Sequence, residues 1–329
     1  MTGLRDKLEN QQVSIYFGAV VLAAITGLVI PNTTALEVGV NPALALMLFV
    51  TFLQVPLADL GRAVSRIRFL AALLITNFVV VPVLVTILIQ FLPPDPMIRL
   101  GVLFVLLTPC IDYVVTFSHL GRADAQLLLA ATPALLIVQM LVLPVYLSVF
   151  LGADAAGLVQ IGPFVHAFVW LIAVPLVLAA LVQIWASRSQ AGERVATLLG
   201  VLPVPATALV LFVVVAAVVP QLGPAIDGAL RVVPIYITFA VIVPLIGWGM
   251  ARLFRLDAPA GRAIAFSAAT RNSLVVLPLA FAVPGAVPVL PAIIVTQTLV
   301  ELISVLVYIR LIPKLGGSGQ HTPRLDESR

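Results

Sequence analysis

Apolar residues in this chain come in long runs, and charge, proline and glycine collect in the short stretches between them. The runs lack the strict alternation of a half-buried strand, and they are too uniformly apolar for the surface helix of a water-soluble domain. Ten of them reach or approach the length a helix needs to cross a bilayer, at about residues 13–30, 42–57, 69–92, 101–124, 126–151, 163–185, 198–220, 232–250, 260–283 and 287–309. Two of the ten are interrupted. The fourth, GVLFVLLTPCIDYVVTFSHLGRAD, meets Thr108, Pro109, Cys110 and Asp112 near its middle and resumes at Tyr113. The ninth is broken at Ala269-Thr270-Arg271-Asn272-Ser273. Proline and ionisable groups at bilayer depth cost free energy, because backbone groups lose partners and charges lose water, so they persist where irregular backbone is buried or lines a cavity. The pattern predicts an all-α polytopic membrane protein of ten transmembrane helices, with broken helices 4 and 9 crossing at the midplane.

The fifth and tenth runs share a motif. Residues 133–142 read PALLIVQMLV and residues 291–300 read PAIIVTQTLV, identical at five of ten positions without a gap. Weaker echoes keep the same order: Leu48-Phe49-Val50 with Leu211-Phe212-Val213, Pro82 with Pro244, and Gly101 with Gly261. The separations drift only from 163 to 158 residues, as two copies with small loop differences require. Each copy holds five runs, about residues 13–151 and 163–312, within one transmembrane domain followed by a polar tail at 314–329. An odd number of spans per copy sets the second upside down relative to the first, which is the inverted-repeat plan of many secondary transporters. At a separation of 160, Cys110 falls opposite Thr270 and Asp112 opposite Asn272.

Composition narrows the class further. The chain of 329 residues is 62% hydrophobic and 10% charged, which leaves too few polar groups to cover a water-facing surface. A net charge of +4 does not point to nucleic acid, because the basic residues stand singly between apolar runs and act as topology signals. With the amino terminus in the cytoplasm, fifteen Lys and Arg fall inside, Arg99 and Arg231 fall outside, and Arg271 lies within a span. Both termini are therefore expected on the cytoplasmic side of the cell (inner) membrane. The polar start runs directly into the first span, and no cleavable signal peptide is read there. A single cysteine excludes an internal disulfide framework. Neither a paired catalytic motif nor a phosphate-binding loop is present, so no enzyme activity and no cofactor are expected, and an intramembrane enzyme or a scaffold ranks behind transport.

Candidate chemistry gathers near the two breaks. Thr108, Cys110, Asp112, Thr270, Arg271 and Asn272 lie in or beside them, and Gln139, Gln297 and Glu301 lie near the middle of the fifth and tenth runs. Glu301 is one helical turn beyond Gln297 and shares its face. Each residue has two readings. Cys110 is either a small buried hydrophobe or a soft ligand for a trivalent metalloid, since one thiol releases a cargo that three would trap. Glu301 is either a hydrogen-bonded structural carboxyl or a proton carrier. Asp112 and Arg271 either pair with each other or meet a solute, and the glutamines serve as helix-packing groups or as site lining.

The run Leu107-Thr108-Pro109-Cys110, with Val114, Ser118-His119-Leu120 and Asp124, resembles the fourth-span signature of the arsenite efflux permeases, which share a ten-span superfamily with the bile acid/sodium symporters. Leu299-Val300-Glu301 resembles the acidic tenth span of the same permeases. The resemblance implies a metalloid exporter in which Cys110 and Glu301 are essential. It also implies a panel of spans one, two, six and seven that moves against a core of the others. The sequence departs from the permeases at Ile111-Asp112-Tyr113 and at Thr270-Arg271-Asn272-Ser273. In the bile acid branch sodium binds where the broken helices cross, and a fixed cation such as Arg271 in that region disfavours it. The reading is proton-coupled efflux of an arsenite-type metalloid across the lipid bilayer, with sodium-coupled uptake of an organic anion as the alternative.

Overall fold

The computed structural model describes residues 2–54, 66–111, 113–155, 166, 169–221 and 225–316. Asp112, residues 55–65, most of 156–168 and residues from 317 on lie outside the described residues, and with them the expected Asp112–Arg271 pair and most of the expected tail.

Every regular element among the described residues is helical, as the apolar runs predict, because a chain in lipid must satisfy its backbone groups within its own segments. Helix α1 is Thr2–Val29 and α2 is Glu37–Gln54. The third span is continuous in direction but not in winding: α3, Ile67–Ile75, passes through a π-turn at Thr76–Val80 into α4, Val81–Leu88. Helix α5, Pro96–Leu106, starts where Asp95 accepts the amide protons of Met97 and Ile98. After the first break comes α6, Tyr113–Leu120, and then α7, Ala125–Ala155. Helix α8 is Val174–Ala186, and α9, Gln190–Leu199, is capped by the Ser189 hydroxyl on Gly192 N–H and meets α10, Pro203–Val218, at 42°. Helix α11 is Ile226–Leu253, α12 and α13 flank the second break as Ala258–Ala269 and Ser273–Phe281, and α14 is Val289–Leu311.

Six of these helices, or seven counting the bent α9–α10 pair, are long and apolar enough to span a bilayer unaided. The expected fourth and ninth spans fall short because each is divided into two half-helices, and the described part of the sixth is the shorter apolar helix α8. Large apolar side chains are left open along the outer faces, among them Leu22, Ile25, Ile237, Val241, Leu245, Ile303 and Val307. A surface of that kind is solvated by lipid, and the protein is a multi-pass membrane protein.

Two groups of helices are evident from the packing. Helix α10 lies along α1 and α2, and α2 also packs on α8. In the second group α11 packs on α12 and α14, α14 on α5 and α13, and α12 reaches α6, α7 and the π-turn. Between the groups α2 meets α13 and α10 meets α14. The second group is tightly packed at its centre: a side chain at Gly247 would meet the Ala265 Cα at 2.9 Å, and one at Gly101 would meet Ile293 at the same distance.

Candidate functional site

The two breaks meet. Pro109 and Arg271 pair in an isolated antiparallel bridge, with Cys110 N–H donating to Thr270 O at 3.1 Å and Asn272 N–H donating to Thr108 O at 2.8 Å. Backbone freed by ending two helices is thereby satisfied within the protein. The threonines complete the same task on each side. Thr108 Oγ donates to Phe104 O and Thr270 Oγ to Phe266 O, both at 2.9 Å and both reaching back four residues into the last helical turn. These bonds exchange Thr108 with Thr270 and Cys110 with Asn272, a separation of 162. The sequence alignment pairs Cys110 with Thr270 at a separation of 160, whereas the hydrogen bonds of the crossing are symmetric about 162.

Arg271 is fully buried, and its guanidinium points into the converging ends of the half-helices. Nη1 donates to Leu106 O at 3.3 Å, and Nη2 donates to Ser267 O at 3.0 Å, to Asn77 Oδ1 at 2.9 Å and to Ala268 O. Leu106 ends α5 and Ser267 and Ala268 belong to the last turn of α12, so the charge sits at the negative poles of two helices. The ring of Phe239 adds a cation–π contact at 5.4 Å. Asn77 projects from the π-turn of the third span and also donates to Ser267 Oγ at 3.1 Å, tying that span to the crossing.

Glu301 faces the backbone of the second break rather than the guanidinium. Its Oε2 accepts Arg271 N–H at 2.8 Å and the Gln297 amide at 2.5 Å, and its Oε1 accepts the Tyr113 hydroxyl at 2.6 Å. Tyr113 Oη also lies 3.1 Å from Arg271 O. Asn272 accepts Val275 N–H at 3.4 Å, and Ser273 and Thr298 share a hydroxyl pair at 2.8 Å, which joins α13 to α14.

Of the residues singled out from sequence, Thr108, Cys110, Thr270, Arg271, Asn272, Gln297 and Glu301 therefore share one cluster. Cys110 is fully buried at its centre. Gln139 is elsewhere, on α7, buried, and neither of its side-chain polar atoms has a partner among the described residues. Tyr113, Asn77 and Ser267 were missed. A lone amide in the apolar stretch Ile75-Thr76-Asn77-Phe78 was the available signal for Asn77, since polar side chains at mid-span seldom lack a role.

Two spaces adjoin the cluster. A crevice of about 40 Å³ opens between α1, α2, α6 and α10, lined by Gln12, Tyr16, Thr51, Gln54, Tyr113, Thr116 and Thr207. The Arg5 and Glu9 that also line it are bonded to each other at 2.7 Å. A second, smaller space of about 10 Å³ lies within the second helix group beside Leu106, Tyr236, Phe239, Gln297, Glu301 and Tyr308. Among the described residues no group of three or more His, Cys, Asp or Glu is placed to hold a metal ion.

No curated protein matches the chain. A family model does: the one described as Sodium Bile acid symporter family matches residues 41–223, which takes in Asn77, the first break, Tyr113 and Gln139 and stops before Arg271 and Glu301. That match covers more than half of the 329 residues, and with interrupted helices crossing inside a lipid-solvated bundle it identifies this chain as a member of the sodium/bile acid symporter family, whose members are membrane transporters.

Proposed function

We propose that the protein is a secondary transporter that exports a small neutral metalloid acid of the arsenite type in exchange for protons. The observation that carries this reading is the lining of the crevice. Hydroxyls of Tyr16, Thr51, Tyr113, Thr116 and Thr207 and amides of Gln12 and Gln54 form its wall, and the charge of Arg5 is met by Glu9. Gln12 Nε2 is buried there without a partner among the described residues. Such a wall suits a compact, uncharged solute that both donates and accepts hydrogen bonds, as As(OH)₃ does, and offers an organic anion no free cation.

Two features of the crossing agree. The guanidinium of Arg271 already occupies the carbonyl cluster at the helix ends, so a fixed charge serves where a bound cation would otherwise be needed. Glu301, held by three donors at the second break, is the group that takes up and releases the exchanged proton. Cys110 contacts the metalloid when the crevice extends to the first break. Its thiol condenses with As(OH)₃ by forming one S–As bond and releasing one water, and hydrolysis reverses the step. The ten spans form two inverted repeats, about 13–151 and 163–312. The group of α1, α2, α8 and α10 moves against the other group to alternate access, with both termini cytoplasmic.

The family's own description favours a second reading, sodium-coupled uptake of an organic anion. Flux assays in proteoliposomes with sodium replaced by choline separate the two. Arsenite flux that persists in choline supports export of the metalloid, and sodium-dependent taurocholate uptake overturns it.

A further inference from the structure

Tyr113 stands between the two spaces. It is part of the crevice wall, while its hydroxyl reaches inward to Glu301 Oε1 at 2.6 Å. Glu301 lines the inner cavity and not the crevice, so the phenol is the polar group that separates the carboxylate from the water-accessible side. Behind the carboxylate, the buried Oε1 of Gln297 lines the same inner cavity without a partner among the described residues. The carboxylate thus has a hydroxyl donor toward the crevice.

We propose that Tyr113 is the proton relay between the crevice and Glu301. In the relay a crevice water or hydronium gives a proton to the phenol oxygen as the phenolic proton passes to Glu301 Oε1. One O–H bond of the phenol breaks while another forms, the phenol ends neutral, the carboxylate gains one proton and the crevice loses one. The ring at the same time keeps bulk water from the carboxylate, so proton access is conducted and solute access is not. Other groups facing Glu301 are Arg271 and, near it, Cys110 at the crossing, Tyr236 on α11 and Tyr308 on its own helix. None of these lines the crevice, which singles out Tyr113. The relay rests on the reading of Glu301 as the proton carrier.

The test uses the full chain in lipid and needs no transported solute. The infrared carboxyl stretch of Glu301, assigned by its loss in Glu301→Gln, is followed after transfer into deuterated water. Tyr113→Phe keeps the ring and removes the hydroxyl, and deuteration should slow by about tenfold or more. Tyr113→Ala removes the barrier as well, and exchange should match or exceed that of the unmodified protein. Thr116→Trp, which fills the crevice without touching the hydrogen bond, should also slow it. Exchange in Tyr113→Phe at the original rate overturns the relay alone. Absence of any Glu301 carboxyl band at acid pH in the unmodified protein overturns the proton-carrier reading on which the relay stands.

Discussion

The two breaks share a pattern of hydrogen bonds and differ in chemistry. At each, a threonine hydroxyl returns to a phenylalanine carbonyl four residues earlier, and the next-but-one amide crosses to the other break. Between them stands Pro109 on one side and Arg271 on the other. Proline has no N–H, whereas the N–H of Arg271 binds Glu301. The helices carrying the shared motif differ in step. Glu301 follows Gln297 by one turn and accepts its amide, while the residue one turn beyond Gln139 is Leu143 and the amide of Gln139 has no partner among the described residues. On the helix of the first break's half no carboxylate stands where Glu301 stands on α14, and Pro109 has no N–H to hold one. The two crossings share a hydrogen-bond pattern, and among the described residues the buried charges lie at the second break.

Removing the charged side's acceptor breaks this comparison most severely. Glu301→Gln keeps the shape but leaves a neutral amide that accepts at one atom only, and pH-driven flux should fall by about a hundredfold, measured as initial rates in proteoliposomes. Arg271→Met strips the donors from the carbonyls at the ends of α5 and α12, and should cost about 3 kcal/mol in thermal or denaturant unfolding in detergent. In that variant sodium should raise the melting temperature, because the vacated oxygens are open to a cation, and the unmodified protein should show no such response. Leu143→Glu asks whether the quiet side tolerates a carboxylate; with Pro109 unable to donate, a loss of about 2 to 3 kcal/mol is expected. The glutamines give the smallest and most discriminating contrast. Gln297→Leu should destabilise by about 1 to 2 kcal/mol, since it removes a donor from a buried carboxylate, whereas Gln139→Leu should be neutral or stabilising by up to about 1 kcal/mol. Equal losses at the two positions would mean that the halves are chemically alike.

Much of this was legible before the fold. Apolar runs gave the helices, and Pro109 and Arg271 in otherwise apolar stretches marked the two breaks, because lipid penalises both. The four-residue spacing of Gln297 and Glu301 put them on one face, where they are bonded. The direction of the Arg271 side chain was not legible. Its described partners include carbonyls of two helix ends that converge only in three dimensions. The role of Tyr113 was not legible either, because its hydroxyl finds Glu301 across 188 residues of sequence. The hydrogen bonds that join the two breaks also needed the fold, since they link residues about 160 positions apart.

The measurement that tests the account most directly is uptake of trivalent arsenite into everted membrane vesicles, with and without an imposed pH gradient and with sodium replaced by choline, for the unmodified protein, Glu301→Gln and Cys110→Ala. The account predicts accumulation that follows the pH gradient, persists in choline and is lost in both variants. Correctly folded protein that fails to accumulate arsenite, or accumulates it only when sodium is present, would contradict it.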